Sequence, residues 1–149
     1  MNHAEKARNL FVEGYSCSQA VFGAFAEDLG LELAQAVKLA SSFGGGMGGM
    51  REACGAVSGM LMVAAMKWGY DSPTDQANKT AHYARVRTLI ERFKAEHGTF
   101  ICRELLADLP GRLEKNPLPR TAEYYKVRPC AMFVEDAARL IDQMEEEMK

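Results

Sequence analysis

The chain has 149 residues, 26% of them charged and 48% apolar, with a formal net charge of −2. That length fits one domain, residues 1–149, large enough to bury a core without disulfide staples, and the composition is that of an ordinary globular protein. No Lys/Arg run offers a phosphate-binding stripe, and Glu145-Glu146-Glu147 would repel an anionic partner, which argues against nucleic-acid binding. The N-terminal stretch, with Glu5, Lys6 and Arg8, lacks the apolar core of a secretory signal. The longest uncharged stretch, Ala53 to Met66, falls short of the roughly 20 residues that span a bilayer. A cytoplasmic protein is expected, and a reducing cytosol keeps thiols free unless they are catalytic or metal-bound.

Helix signals run the length of the chain. Asn2 is placed to cap a first helix that reaches Glu13, with Ala7, Leu10 and Phe11 on one face and Gly14 as its stop. Ser16-Cys17-Ser18-Gln19 has the form of a capping box, which opens a second helix carrying Ala20, Val21, Ala24 and Phe25 up to Gly30. A third segment, Glu32 to Ser42, presents Leu33, Val37 and Ala40. The pattern then breaks at Phe43-Gly44-Gly45-Gly46-Met47-Gly48-Gly49-Met50, where glycine density calls for unusual dihedrals or a close backbone approach.

Ala53 to Trp68 is apolar or small on every side, the mark of a central helix surrounded by others, and Gly69 ends it. Met60, Met62 and Met66 read as core filling there; only Met47 and Met50, in the glycine loop, stand apart. Ser72-Pro73-Thr74-Asp75 predicts a capped start with proline at the first helical position, for a long helix whose stripe is Tyr83, Val86, Ile90 and Phe93. Thr99 is placed to cap a short helix holding Cys102 three residues further on, which Pro110-Gly111 ends. Residues 110 to 127 read as one long irregular connection. Arg128-Pro129-Cys130 then starts a last helix with proline as its first residue, carried by Phe133, Ala137, Leu140, Ile141 and Met144. No segment alternates with period two, so the expected fold is an all-α, single-domain bundle of five to seven helices with a glycine-rich loop before the central helix.

Cys17, Cys54, Cys102 and Cys130 each fall in the opening turn of a predicted helix. Partial positive charge and unpaired N–H groups at helix starts favour thiolate, the form that attacks disulfides and binds metals. Spacings of 37, 48 and 28 residues leave no C-x-x-C pair, so zinc-ribbon and thioredoxin-type motifs are absent and any site is assembled by tertiary structure. The glycine loop lacks the Gly-Lys-Ser/Thr of a phosphate loop and has no strand before it. Its glycines, Gly45, Gly46, Gly48 and Gly49, together with Gly55, instead bring backbone donors near Cys54, where they would support a thiolate or the sulfurs of a cluster. His3, His82 and His97 share no ligand spacing with one another or with a cysteine and read as exposed or half-buried helix residues.

Cys54-Gly55-Ala56-Val57-Ser58-Gly59 has the form CGAxxG, with one cysteine upstream and two downstream. In this the chain resembles the four-cysteine redox-active family labelled C_GCAxxG_C_C, over most of its length; the label writes GCA where this chain has CGA, a difference of labelling. The resemblance implies a small helical bacterial or archaeal protein, redox-active through its cysteines, with family genes often near transporter genes. A similar four-cysteine region also resembles the iron-cluster part of split-Soret cytochromes, whose haem part this chain lacks; that implies iron ligation by all four cysteines.

Three readings follow. In the first, two or more cysteines cycle between dithiol and disulfide with a redox partner or a small thiol or disulfide, Cys54 being the attacking thiol because the glycine loop gives it donors and access. In the second, Cys17, Cys54, Cys102 and Cys130 hold an iron–sulfur cluster or zinc in a module that carries electrons or senses redox state. In the third, the cysteines are core residues of a helical interaction module. Pairing of the thiols, homodimerisation and a functional link to a transporter stay open at this level.

Overall fold

The computed structural model describes residues 1–109 and 114–149, and the Pro110-Gly111 stop expected above lies outside the described residues. Among the described residues six helices have eight or more residues: α1 (His3–Glu13), α2 (Cys17–Ala24), α3 (Leu33–Ala40), α5 (Gly55–Trp68), α6 (Gln76–His97) and α9 (Cys130–Glu147). Three shorter pieces complete the order: α4 (Gly44–Met47), which follows a single 3₁₀ turn, then α7 (Cys102–Leu105) and α8 (Ala122–Val127). The protein is all-α, and none of these helices is long and apolar enough to cross a membrane.

Apolar periodicity explains the packing. Helix α9 lays Phe133, Val134, Ala137, Leu140, Ile141 and Met144 against α1, α2, α5 and α6, and all six are buried. Helix α2 lies between α1, α3 and α5, with Val21, Phe22 and Phe25 at the centre of the core. Its contact with α5 is close because Gly59 has no side chain. A Cβ there would stand 2.8 Å from the Ser18 carbonyl oxygen and 3.0 Å from the Val21 Cβ.

The caps of α1 and α2 are as the sequence predicts: Asn2 accepts from the Glu5 N–H at 2.8 Å, and Ser16 and Gln19 close a reciprocal capping box. Elsewhere the structure corrects the expectation. Asp75, not Ser72, caps α6, accepting from the Asn78 N–H, while Ser72 turns its hydroxyl to the Thr74 N–H in the turn ahead. Along α6 the buried positions are His82, Leu89 and Phe93, and Tyr83 is half exposed, because the helix meets the bundle mainly through α5 and α9. The last turn of α5 reaches past the core, so Met66 is exposed although Met60 is buried. The stretch expected to be irregular up to residue 127 contains α8, capped by Thr121 through the Tyr124 N–H. Pro129 is the cap of α9, and Cys130 is its first residue.

His3 and His97 are half-buried helix residues as expected, and His82 is buried. His3 stacks on Phe25 and places its two ring nitrogens on Asp28 and Asp142, tying the start of α1 to the turn after α2 and to α9. His97 has a buried side chain beside Asp136, and Arg139 bridges Glu96 to that same aspartate. His82 is buried with Nδ1 lacking a partner among the described residues, and burial, reinforced by Arg85, holds it below the ordinary histidine range.

Two outcomes follow from this packing. Gly59→Ala forces α2 and α5 apart and is expected to cost about 1–3 kcal/mol of stability, read by chemical denaturation. An unshifted denaturation midpoint would mean that the α2–α5 contact yields freely. Because the folded pKa of His82 lies below the unfolded value of about 6.5, the unfolded chain binds the proton first, and the stability held above that pH is lost as pH falls through the window beneath it. Denaturation midpoints between about pH 7 and about pH 5 are expected to fall less steeply for His82→Gln than for the wild type.

Candidate functional site

The four cysteines, up to 113 residues apart in sequence, line one small cavity. Cys17 is the first residue of α2, Cys102 of α7 and Cys130 of α9, while Cys54 is the residue that caps α5. For Cys102 this corrects the expected cap. Residues 100–103 run beside residues 51–54: the Cys54 N–H donates to the Phe100 carbonyl at 2.8 Å, the Cys102 N–H to the Glu52 carbonyl at 2.6 Å and the Arg103 N–H to the Arg51 carbonyl at 3.1 Å. This short antiparallel bridge at Ala53 and Ile101 keeps the chain extended through Ile101, so the helix starts at Cys102. Thr99 instead accepts from the Ile101 N–H and hydrogen-bonds to Glu104.

The glycine loop locks onto that bridge. The Arg51 and Glu52 N–H groups donate to the Gly45 and Gly46 carbonyls, at 3.0 and 2.9 Å. Gly46 has φ +71, and a Cβ on it would meet the Glu52 nitrogen at 2.7 Å and the Cys102 Cβ at 2.8 Å, so only glycine fits there. Gly55 has a different reason: its Cβ would press on the Cys17 Cβ at 3.2 Å, between the starts of α2 and α5. Gly45, Gly46 and Gly55 therefore line the sulfur cavity, whereas Gly48 and Gly49 line a separate groove on the outer side of the loop.

Three arginines that the sequence reading did not single out surround the sulfurs. Arg51 Nη1 lies 3.7 Å from the Cys102 Sγ and Nη2 donates to the Glu114 carbonyl at 2.6 Å, with the side chain buried and Nε lacking a partner among the described residues. Arg120 donates to the Phe11 and Tyr15 carbonyls and packs its guanidinium over the Phe11 and Tyr124 rings. Arg128 lies over the other side of this cluster, 4.8 Å from the Tyr124 ring centre. The one sequence signal that pointed to them is position: Arg51 follows the glycine loop directly, and Arg128 stands two residues before Cys130.

The electrostatics differ sharply from one thiol to the next. Interaction with the neighbouring Cys130 thiol raises the pKa of Cys17, with burial adding to the rise. The same contact lowers Cys130, and Arg128, Arg120 and Arg51 lower it further. Burial raises Cys102 against the pull of Arg51. Burial pushes Cys54 up to about 12, and the backbone donors of Ala56 and Val57 offset only part of that. Cys54 is 4% exposed. The access and the helix-lowered pKa expected of it as an attacking thiol are thus absent, because the glycine loop closes over the cavity rather than opening it. The lowered thiol is Cys130.

All four cysteines are free, and no three of their sulfurs lie mutually within 4.8 Å. Among the described residues the one group of three potential ligands so close is Glu96, His97 and Asp136, whose two carboxylates already pair with Arg139. A single tetrahedral zinc with Zn–S bonds of 2.3 Å requires every sulfur pair about 3.8 Å apart. The cavity, about 60 Å³, has room for several water-sized atoms. A multi-atom group bridging the sulfurs fits this arrangement better than one ion does.

A sequence model of the family described as "Putative redox-active protein (C_GCAxxG_C_C)" matches residues 15–144. The chain belongs to this family. The matched span holds all four cysteines, the glycine loop and the three arginines, so the site is contained in what the family shares in length. No curated protein and no solved structure matches the chain.

The burial of Cys54 yields a direct expectation for metal-free, folded protein. At pH 8 a pKa of about 12 leaves a thiolate fraction of about 10⁻⁴, so iodoacetamide should modify Cys54 well after Cys130, and only at a rate limited by unfolding. Peptide mapping during the reaction reads the order. Early modification of Cys54 would contradict the closed geometry.

Proposed function

We propose that this member of the redox-active family is an electron-transfer module in which Cys17, Cys54, Cys102 and Cys130 hold an iron–sulfur cluster. The observation that carries the reading is a buried cavity lined by four free thiols, too widely spaced for one zinc, with cationic arginines around it. Four thiolates are the usual ligand set of such clusters, and when bound the cluster supplies one-electron chemistry.

The chain's own residues have definable parts in this. Helix starts at Cys17 and Cys130 and the N–H groups of Ala56 and Val57 near Cys54 stabilise sulfur in its deprotonated form. Arg51, Arg120 and Arg128 offset negative charge that burial would otherwise make costly. Arg51 Nε, buried and without a partner among the described residues, is a donor left for an anionic group in the cavity. Gly46 and Gly55 keep side chains out of the space between the sulfurs. Leu105, Leu106 and Phe133 wall the cavity with apolar surface, which limits water.

One contact favours a second reading. The Cys17 and Cys130 thiols are near enough to shift one another's pKa in opposite directions, and loss of two electrons and two protons from this pair would give a disulfide between the first residues of α2 and α9. A redox partner or a small disulfide would be the oxidant.

Iron, zinc and acid-labile sulfide analysis with a visible spectrum, on protein purified without oxygen, separates the readings. Iron and sulfide at about two or more per chain, with visible absorbance lost in Cys54→Ser and Cys102→Ser, is the expected result. Colourless, metal-free protein that forms a Cys17–Cys130 disulfide on mild oxidation would move the assignment to dithiol chemistry. Stoichiometric zinc without sulfide would overturn both.

A further inference from the structure

Outside the sulfur cavity, beyond the glycine loop, lies an open groove of about 600 Å³ between that loop and residues 115–118. Its floor is glycine backbone: Gly45, Gly48 and Gly49 all have positive φ, and a Cβ on Gly49 would run into the Lys115 carbonyl. Its charged lining is entirely cationic, made by Arg51, Lys115, Arg120 and Arg128, with Asn116 and Tyr124 among the polar groups, and no acidic side chain lines it among the described residues. Glu114, beside Lys115 in sequence, turns its carboxylate back onto the Asn116 N–H. For a chain with a net charge of −2, this concentration of positive charge is local and specific.

The arginines are not equivalent. Arg51 is held by the Glu114 carbonyl and the Cys102 sulfur, and Arg120 by the Phe11 and Tyr15 carbonyls. Arg128 is different: it is 9% exposed, its Nη2 is buried without a hydrogen-bond partner, and no carboxylate pairs with it among the described residues. Beyond the Tyr124 face and the field of the nearby cysteines, this buried guanidinium has a donor that an anion would complete.

We propose that this groove is a binding site for a small multivalent oxyanion of the phosphate or sulfur-oxyanion class, held by Arg128 with Lys115 at the rim. The inference goes beyond the cluster reading and does not need iron: no cysteine lines the groove, although Arg51, Arg120 and Arg128 border both it and the sulfur cavity, and Lys115 borders the groove alone. Neutral Asn116 and Tyr124 supply further donors of the kind that orient an oxyanion without competing for its charge.

Calorimetric titration of the anaerobically purified protein with inorganic phosphate and, separately, with sulfite tests this at low ionic strength. Saturable binding of either anion with a Kd of about 1 mM or tighter is expected, and the tighter anion names the class. Arg128→Gln should weaken it by about tenfold or more. Lys115→Gln, which touches the groove but not the sulfur cavity, should weaken it severalfold with iron content unchanged. Circular dichroism confirms that each variant is folded, and should Arg128→Gln fail to fold, Lys115→Gln decides. No saturable binding by the wild type, or unchanged affinity in Lys115→Gln and in folded Arg128→Gln, overturns the proposal. Iron is assayed in the same samples: anion binding by iron-free protein would uphold the groove while counting against the cluster, and iron-loaded protein indifferent to both anions would do the reverse.

Discussion

The site depends on a few backbone hydrogen bonds between residues 51–54 and residues 100–103. They do what no side chain in this protein does, fixing two thiols from distant parts of the chain side by side and setting where α7 begins. The glycine loop extends the same ladder, since the Gly45 and Gly46 carbonyls accept from Arg51 and Glu52. Left-handed dihedrals at Gly45 and Gly46 are what let the loop turn back tightly enough to do so. Cys17 and Cys130 then arrive from the other side, carried by α2 and α9, whose shared core of Val21, Phe25, Ala137 and Ile141 sets their helix starts at one end of the bundle.

Charge follows from that geometry. Bringing four thiols into one buried cavity makes it costly for all of them to ionise unless cations or a metal group share the site. The arginines answer part of this cost, and each is itself held by something other than a carboxylate: Arg51 by a carbonyl and a sulfur, Arg120 by two carbonyls and three aromatic rings, Arg128 by the face of Tyr124. An acidic partner would have cancelled their effect on the sulfurs. This is the physical link between the apparently irregular segment before α9, with its arginines and tyrosines, and the cysteines on the helices.

Much of this was legible in the sequence, and what was not has identifiable causes. The helix starts at Asn2 and Ser16 are local events, written by side chains three residues from their backbone partners, and the structure has them as expected. The start at Cys102 is not local, because Ile101 is held extended by Ala53, nearly fifty positions away, and no propensity at Thr99 competes with that. The stripe on α6 is rotated toward His82 and Leu89 because that helix packs mainly against α5 and α9. The common place of the four thiols at helix starts is legible in the sequence, but their convergence is not, because it is made by tertiary structure. Their reactivity was misjudged for Cys54, since a glycine loop reads as open in a sequence whether it exposes its neighbour or covers it. Of the arginines only Arg51 and Arg128 carry a sequence signal, their position beside the glycine loop and Cys130; Arg120 comes to the sulfurs through tertiary structure alone.

The central claim is that the four cysteines share one multi-iron group. X-ray absorption at the iron edge of anaerobically purified protein tests it most directly, since it reads the atoms around the metal without depending on activity. The account predicts an all-sulfur first shell together with a second shell of iron neighbours. A first shell containing nitrogen or oxygen ligands, or an isolated iron with no iron neighbour, would contradict it.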